Sequence, residues 1–342
     1  MDRNMEDMKK LWRLGEVVDA LTAKDYTARG ISHELYDQVY GERKKPLAME
    51  AAVSMGQRLK PGSRVLIFTG WPSRSWLIKG LTETDGPVGA AILARALEEA
   101  FDIIPIIVME ERLCEFGAVG LRAAGLIVSD LETALQSKPG PPKASVGAVI
   151  RFTSDANQAQ KEAEALLDHV KPDALISIEL PGANRDGTYH NVTAREVPTE
   201  LVMKADYCMR EAAARGILTI GIGDGGNELG MGNASEAIRK YLKEGDVIAP
   251  VTQVDCLVVS CISNWGALGM AACVAAVAGK PDVFDHIDIM RITDALVNAG
   301  AIDGLTAYVD PKNDGTSHEV NRGLTAMLSM SLHMHMNGWK KM

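Results

Sequence analysis

No apolar run in this 342-residue chain reaches the roughly 18 residues of a membrane-crossing helix, so no membrane partner is expected. The N-terminus, MDRNMEDMKKLWRLGEVVDAL, is charged throughout and lacks the apolar centre of a signal peptide. CxxC spacing is absent. The five cysteines (Cys114, Cys208, Cys256, Cys261, Cys273) stand apart in mostly apolar surroundings, which reads as buried free thiols, fits a reducing cytoplasm and speaks against cysteine-held zinc. A basic excess is missing too: the net charge of -9 argues against a non-specific nucleic-acid binder, although a locally positive loop can still meet an anionic substrate. Aromatics are scarce at 5%, yet 46% hydrophobic residues suffice for a large core without disulfide or metal staples. There is no internal repeat and no low-complexity tract.

What is present is a change of pattern. Residues 1–60 read as helical and mixed-charge, with Leu11, Leu14, Val17, Val18 and Leu21 at helical spacing and a second helix over 46–59 that ends at Lys60-Pro61-Gly62. Beyond it, short apolar runs at 65–69, 103–109, 148–152, 174–178, 218–222 and 256–261, with a weaker one at 126–128, alternate with helical segments at 87–101, 157–169, 200–215, 235–243 and 265–278. Strands apolar on both faces and separated by helices indicate an α/β fold: a Rossmann-like three-layer sandwich with a mostly parallel sheet of six to seven strands. The expected organisation is an N-terminal helical segment, 1–60, packed on a main α/β domain, 61–342. The proline-rich stretch 137–145 is the one plausible internal linker. A methionine-rich last helix over 317–336 hints at a homo-oligomer interface, or serves as core filler.

In such sheets ligands collect at the carboxyl ends of the strands, and four motifs fall there. The first is Ile217-Leu218-Thr219-Ile220 running into six glycines within twelve residues, with Asp224, Asn227 and Glu228 set among them. Backbone N–H groups of Gly225, Gly226 and Asn227 would cradle a carboxylate or phosphate, and Asp224 and Glu228 would hold a divalent cation or move protons. The alternative is a structural loop whose acids cap local backbone. Asn233, with Glu236 three residues on, reads as a capping box that opens the next helix. The phase GxGxxG occurs at Gly221–Gly226, but no helix follows at once, so no nucleotide cofactor is expected.

The second motif, ending in Glu83-Thr84-Asp85-Gly86-Pro87, opens a helix. Arg74 and Lys79 before it could meet an anion, and Asp85 is either a helix cap or a ligand. The third closes the 174–178 strand with Glu179, where a carboxylate needs a metal, an arginine or a substrate ammonium as partner. Asp186 and Asn191 follow it as substrate-binding candidates or Asx turns, with His190 an ordinary loop histidine. The fourth is Ser263-Asn264-Trp265-Gly266, whose Ser263 and Asn264 cap a helix or touch substrate and whose Trp265 could wall a pocket. Cys261 has no histidine near it to make a nucleophile. Asp303 resembles a turn residue, and His333 and His335, two apart on a helix, make a poor metal pair.

Taken together, TETDGPVGAAILARAL, SIELPGANRDGTYHN, GIGDGGNELGMGN and CISNWGALGMA resemble the C-terminal domain of the D-glutamate cyclase family. The resemblance spans residues 65–305 and departs at Leu180, where the family pattern has arginine. It implies a lyase-type reaction on a small carboxylate, the dehydration of D-glutamate to 5-oxo-D-proline, with attack of the α-amine on the γ-carboxyl carbon and loss of water. Such a reaction needs a base for the ammonium, an acid for the departing oxygen and a clamp for the α-carboxylate. On that basis Asp85, Glu179, Asp224 and Glu228 are expected to be catalytic and Asp224 and Glu228 to hold a divalent cation (Mg or Mn). Thr84, Asp186, Asn191, Gly225, Gly226, Asn227, Ser263 and Asn264 are expected at the substrate. A metal-assisted hydrolase or lyase on another small carboxylate or phosphate, and a non-catalytic ligand-binding domain, are the competing readings.

Overall fold

The computed structural model describes residues 5–140 and 144–338; Pro141 and Pro142 of the expected linker lie outside the described residues. Seven strands form one sheet: β1 (Arg64–Thr69), β2 (Ile104–Met109), β3 (Ile127–Ser129), β4 (Val146–Arg151), β5 (Ala174–Ile178), β6 (Leu218–Gly223) and β7 (Cys256–Val259). Their order is β3-β4-β2-β1-β5-β6-β7, and every neighbouring pair is parallel. The helices are α1 (Met5–Thr22), α2 (Ser32–Arg43), α3 (Leu47–Arg58), α4 (Pro87–Phe101), α5 (Cys114–Ala123), α6 (Leu131–Leu135) and α7 (Ala156–Val170). The second half adds α8 (Ala205–Ala214), α9 (Ser235–Tyr241), α10 (Gly245–Ile248), α11 (Ser263–Ala278), α12 (Asp282–Asp285), α13 (Ile289–Asn298) and α14 (His318–Asn337).

The alternation of side chains along each strand divides the interior into two cores. Val65, Ile67, Ile176, Ile178, Ile220 and Ile222 face a layer built on α1, α3, α4 and α11, while Leu66, Phe68, Val108 and Leu175 face α7 and α8. Both faces of the sheet are therefore covered, which is why its strands read as unbroken apolar runs. Helix α11 is the axis of the first layer. It is buried on nearly every side and its sequence, SNWGALGMAACVAAVA, is small enough for α1, α3 and α4 to approach it. Leu11, Leu14, Val18, Ala48 and Met49 of α1 and α3 belong to the same core as the strands. A third cluster joins α2, α9 and α10 to the edge strand β7.

Strand β1 is central. From it the chain builds outward through β2, then returns and builds the other way through β5, β6 and β7. Between β1 and β5 the order reverses; this switch point, the crevice at which such sheets bind ligands, is bordered by the loops after the two strands, which touch at Gly86 and Glu179.

Several local readings change. The N-terminal 60 residues are not continuously helical: a loop separates α1 from α2 around Asp25–Gly30. Asn233 opens no capping box; it lies in a single 3-10 turn, Met231–Ala234, and its amide pairs with the backbone of Val254. Strand β7 stops at Val259, and α11 starts two residues earlier than its apolar pattern. The Trp265 ring is buried beneath α14, donating from Nε1 to Asn321 Oδ1 (2.8 Å). The exposed side of α14 carries Val320, Met327 and Met330, while Leu324, Leu328 and Leu332 enter the core.

Candidate active site

The glycine loop after β6 folds around its own acid. Glu228 accepts from four successive backbone N–H groups: Asp224 (3.0 Å) and Gly225 (2.5 Å) at Oε1, and Gly226 (2.8 Å) and Asn227 (2.9 Å) at Oε2. The cradle expected to receive a ligand through Gly225, Gly226 and Asn227 is thus filled from within the chain. Geometry explains the glycines: Gly226 has φ +87° and packs where a Cβ would press on Ile238, Leu242 and Leu35. Four N–H bonds favour the ionised carboxylate, but complete burial and the nearby Asp224 charge outweigh them and push Glu228 up to about 7.

The other acids converge on the start of α11. The Ser263 backbone N–H donates to Asp85 Oδ2 (3.1 Å) and to Asp224 Oδ2 (3.2 Å), while its hydroxyl donates to Glu179 Oε2 (2.6 Å). One serine therefore touches three of the four sequence-predicted acids, and carboxylate oxygens of Glu179, Asp224 and Glu228 lie within 4.8 Å of one another. Glu179 takes a left-handed backbone, φ +42°, one residue beyond β5, a strained geometry for a side chain with a Cβ. Gly86 (φ +94°) permits it, because a Cβ there would stand 2.8 Å from Glu179 Cβ and 2.7 Å from Thr69 Oγ1.

Asp85 caps a helix, though not the one it precedes. It accepts from the N–H groups of Ser263 and Asn264 (2.7 Å for the latter), the first turn of α11. Asn264 Oδ1 in turn accepts from Gly86 (3.0 Å) and Gly89 (2.7 Å) at the start of α4. The two helices cap each other at their amino ends, so both residues satisfy orphan N–H groups while fully buried.

Three residues that sequence reasoning missed complete the cluster. Arg29, from the loop between α1 and α2, bridges Asp224 Oδ2 (3.0 Å) and Asp314 Oδ2 (2.9 Å) and also donates to the Cys261 carbonyl. Asp314 sits in a turn before α14 and forms, with Asp85 and Asp224, a second group of oxygens within 4.8 Å. Glu83 is buried beside Asp314, both carboxylates crowding the position a Gly304 Cβ would take. Burial, first, and neighbouring carboxylates hold Glu83, Asp85 and Glu179 well above the usual range; the same causes, burial ahead of the Asp224 charge, bring Asp314 to about 7.

Magnitudes decide how such a cluster survives. Two charges about 4.8 Å apart repel by about 3 kcal/mol at an effective dielectric near 20, and each triad contains three pairs. Fully ionised, either triad would cost roughly as much as the entire stability of a typical domain, about 5–15 kcal/mol. A single guanidinium does not offset two triads, so protons or a further cation must. The donor set consists of hard carboxylate oxygens, the set that suits a hard divalent cation, and both acidic groups could hold a metal ion.

The remaining candidates have local work. Thr84 Oγ1 donates to the Lys312 carbonyl (2.6 Å) and anchors the loop that brings Asp314 in. Asp186 is exposed, 4.0 Å from Arg185, in a turn organised by Asn184, and the structure does not bring it to the carboxylates. Asn191 is an Asx turn, accepting from Thr193 and Arg195. Leu180 lies in the apolar core on the other sheet face, so the position where the resemblance has arginine supplies no cation here. Arg74 turns to the Gly304 carbonyl (2.9 Å). Asp303 holds a buried turn through Thr306 and Gly315, and His333 pairs with Asp285 (2.8 Å), not with His335.

The model of the family "D-glutamate cyclase-like, C-terminal" matches residues 18–329, and the chain belongs to that family. It is 30% identical over 260 residues to a human (Homo sapiens) protein named "D-glutamate cyclase, mitochondrial", an alignment covering 74% of this chain and 37% of the relative. The chain thus spans little more than a third of that protein's length. Among the described residues no helix is long and apolar enough to cross a membrane.

Proposed function

We propose that the chain cyclises D-glutamate to 5-oxo-D-proline at the crevice between β1 and β5. The reading rests on family membership and on one observation: Asp85, Glu179 and Asp224, drawn from three separate loops, meet at Ser263, with Glu228 beside Glu179 and Asp224. Capping does not require so many acids side by side, and groups whose titration burial displaces, here Asp85, Glu179 and Glu228, cluster where protons are moved.

In the proposed reaction the α-nitrogen bonds to the γ-carboxyl carbon and one carbon–oxygen bond breaks. Nitrogen gives up two protons and the departing oxygen leaves as water with both. The chain's task is a relay from nitrogen to oxygen. Glu179 is suited to the oxygen end: burial, ahead of the neighbouring Asp224 charge, raises its affinity for a proton, and Ser263 fixes its orientation. Asp224, steered by Arg29 and by the Ser263 N–H, is suited to receive the ammonium proton. Glu228 holds the loop that positions Asp224. A divalent cation such as Mg²⁺ or Mn²⁺, held by Asp224 with Glu179 and Glu228 or with Asp85 and Asp314, would offset the carboxylate charge and polarise the γ-carboxyl group.

The test is chiral detection of 5-oxoproline after incubating purified protein with D- or L-glutamate, with Mg²⁺, Mn²⁺ or chelator. The expected result is product from the D-enantiomer that chelator suppresses. Binding of D-glutamate without product under every condition would overturn the reading in favour of a ligand-binding domain.

A further inference from the structure

Arg29 joins the buried carboxylates to the surface. Asp25 bends its loop by accepting from the N–H groups of Arg29 (3.0 Å) and Gly30 (2.5 Å), which turns the Arg29 side chain inward. Its three bonds, to Asp224, Asp314 and the Cys261 carbonyl, use three of five N–H donors; the other two carry no bond among the described residues. The side chain is 27% exposed where that of Asp224 is 5% exposed.

The exposed part faces a groove of about 430 Å³, walled by Arg29, Val192, Thr193, Leu242 and Lys243 among others. This groove lies against the glycine loop. Leu242 is one of the side chains that a Cβ on Gly226 would meet, and Asn227 Nδ2 donates to the His190 carbonyl (2.9 Å), two residues before Val192. The Asx turn of Asn191 shapes the wall that carries Val192 and Thr193.

Charge gives the groove its polarity. A small amino dicarboxylate is an anion with one ammonium, and the cluster of acids repels its carboxylates while attracting its nitrogen. Lys243 and Glu244 on the outer wall pair with each other (3.7 Å), and Arg29 is the cation that borders the acids, held rigid by two carboxylates and so preorganised to bind a third. We propose that this groove admits an amino dicarboxylate and that Arg29 binds one of its carboxylates, which turns the ammonium toward Asp224. The inference takes only its choice of ligand from the proposed cyclase reaction.

Glutarate, which has both carboxylates but no amine to cyclise, is the probe, and calorimetry reads its binding without turnover. Arg29→Gln should weaken glutarate roughly 10- to 100-fold, the worth of a charged hydrogen bond, with Arg29→Lys in between. Thr193→Trp, which fills the groove from an exposed turn and leaves the carboxylates and their partners in place, should weaken it at least as much. In turnover, Arg29→Gln should raise KM for D-glutamate more than it lowers kcat. Undiminished glutarate binding by Arg29→Gln and Thr193→Trp, or none by the wild type at millimolar concentration, would overturn the proposal. A protein that binds glutarate as described but forms no 5-oxoproline would sink only the cyclase reading.

Discussion

Acids stand at both ends of this sheet, and they live differently. At the amino ends, Asp173 accepts from the N–H of Arg64 where β1 starts (3.1 Å), and Asp255 from Thr219 N and Oγ1 at β6 (2.9 and 3.1 Å). Asp173 is half-buried and Asp255 exposed, so water shares their charge. At the carboxyl ends, Glu83, Asp85, Glu179, Asp224 and Glu228 are all buried. The amino-end pair satisfies backbone N–H groups, and so do Asp85, Asp224 and Glu228. Only the carboxyl-end set does so at a desolvation cost of several kcal/mol per ion, far above the ~1 kcal/mol a hydrogen bond returns. Capping accounts for the first set; in the second it explains neither the depth of burial nor the crowding of the acids.

Three interventions test that contrast. Asp224→Asn should have the largest effect, because Asp224 belongs to both acidic groups: turnover should fall by ~10²–10⁴ or more and Mn²⁺ affinity with it, while circular dichroism stays native. Retained turnover and metal binding would show that the two groups do not work through their common member.

The second intervention is pH. Asp314 and Glu228 titrate near 7 in the fold against about 4 when unfolded, so between those values the native state holds protons that the unfolded chain releases. Their stabilisation is present in full below pH about 4 and is lost as pH rises through about 7. Metal-free protein should therefore lose Tm from pH 5 to 8, Mn²⁺ should restore it, and Asp314→Asn should flatten the slope. Asp19, buried and also near 7, titrates in the same window among partners of its own, Tyr36, Leu47 and Ala48, so Asp314→Asn removes only part of the slope and Asp19→Asn another part. A Tm that rises across this range would contradict the assignment.

The smallest effect belongs to the amino end. Asp173→Asn should cost at most ~1 kcal/mol in urea unfolding and leave turnover and metal affinity unchanged. A large loss of activity would erase the distinction between the two ends.

Two of the carboxyl-end acids were legible in the sequence because each closes an apolar run: Glu179 after ALISI, and Asp224 after LTIGIG. The strands themselves were legible because burial on both faces leaves no polar interruption. Arg29 and Asp314 were not, since nothing local marks them. Asp224 is 195 residues from Arg29 and Asp314 is 285, and each sits in a turn whose Asp and Gly residues look ordinary. The role of Glu228 was misjudged for the opposite reason. Its neighbours in sequence are its partners in space, so the loop could close on itself, and composition does not tell a filled cradle from an open one. Asp85 and Asn264 were read as caps of their own helices, when pairing between the two amino ends exchanges them.

That exchange also sets an order of assembly. The bonds between the 85–89 turn and the start of α11 join positions 175 to 179 residues apart. During synthesis α4 is complete long before Asn264 exists, so its first N–H groups wait uncapped until three-quarters of the chain has been made. The acids that meet around Ser263 wait with it. A nascent chain halted before β7 would carry the sheet's central strands and no closed site, and the acidic cluster is complete only once the second half has locked onto the first.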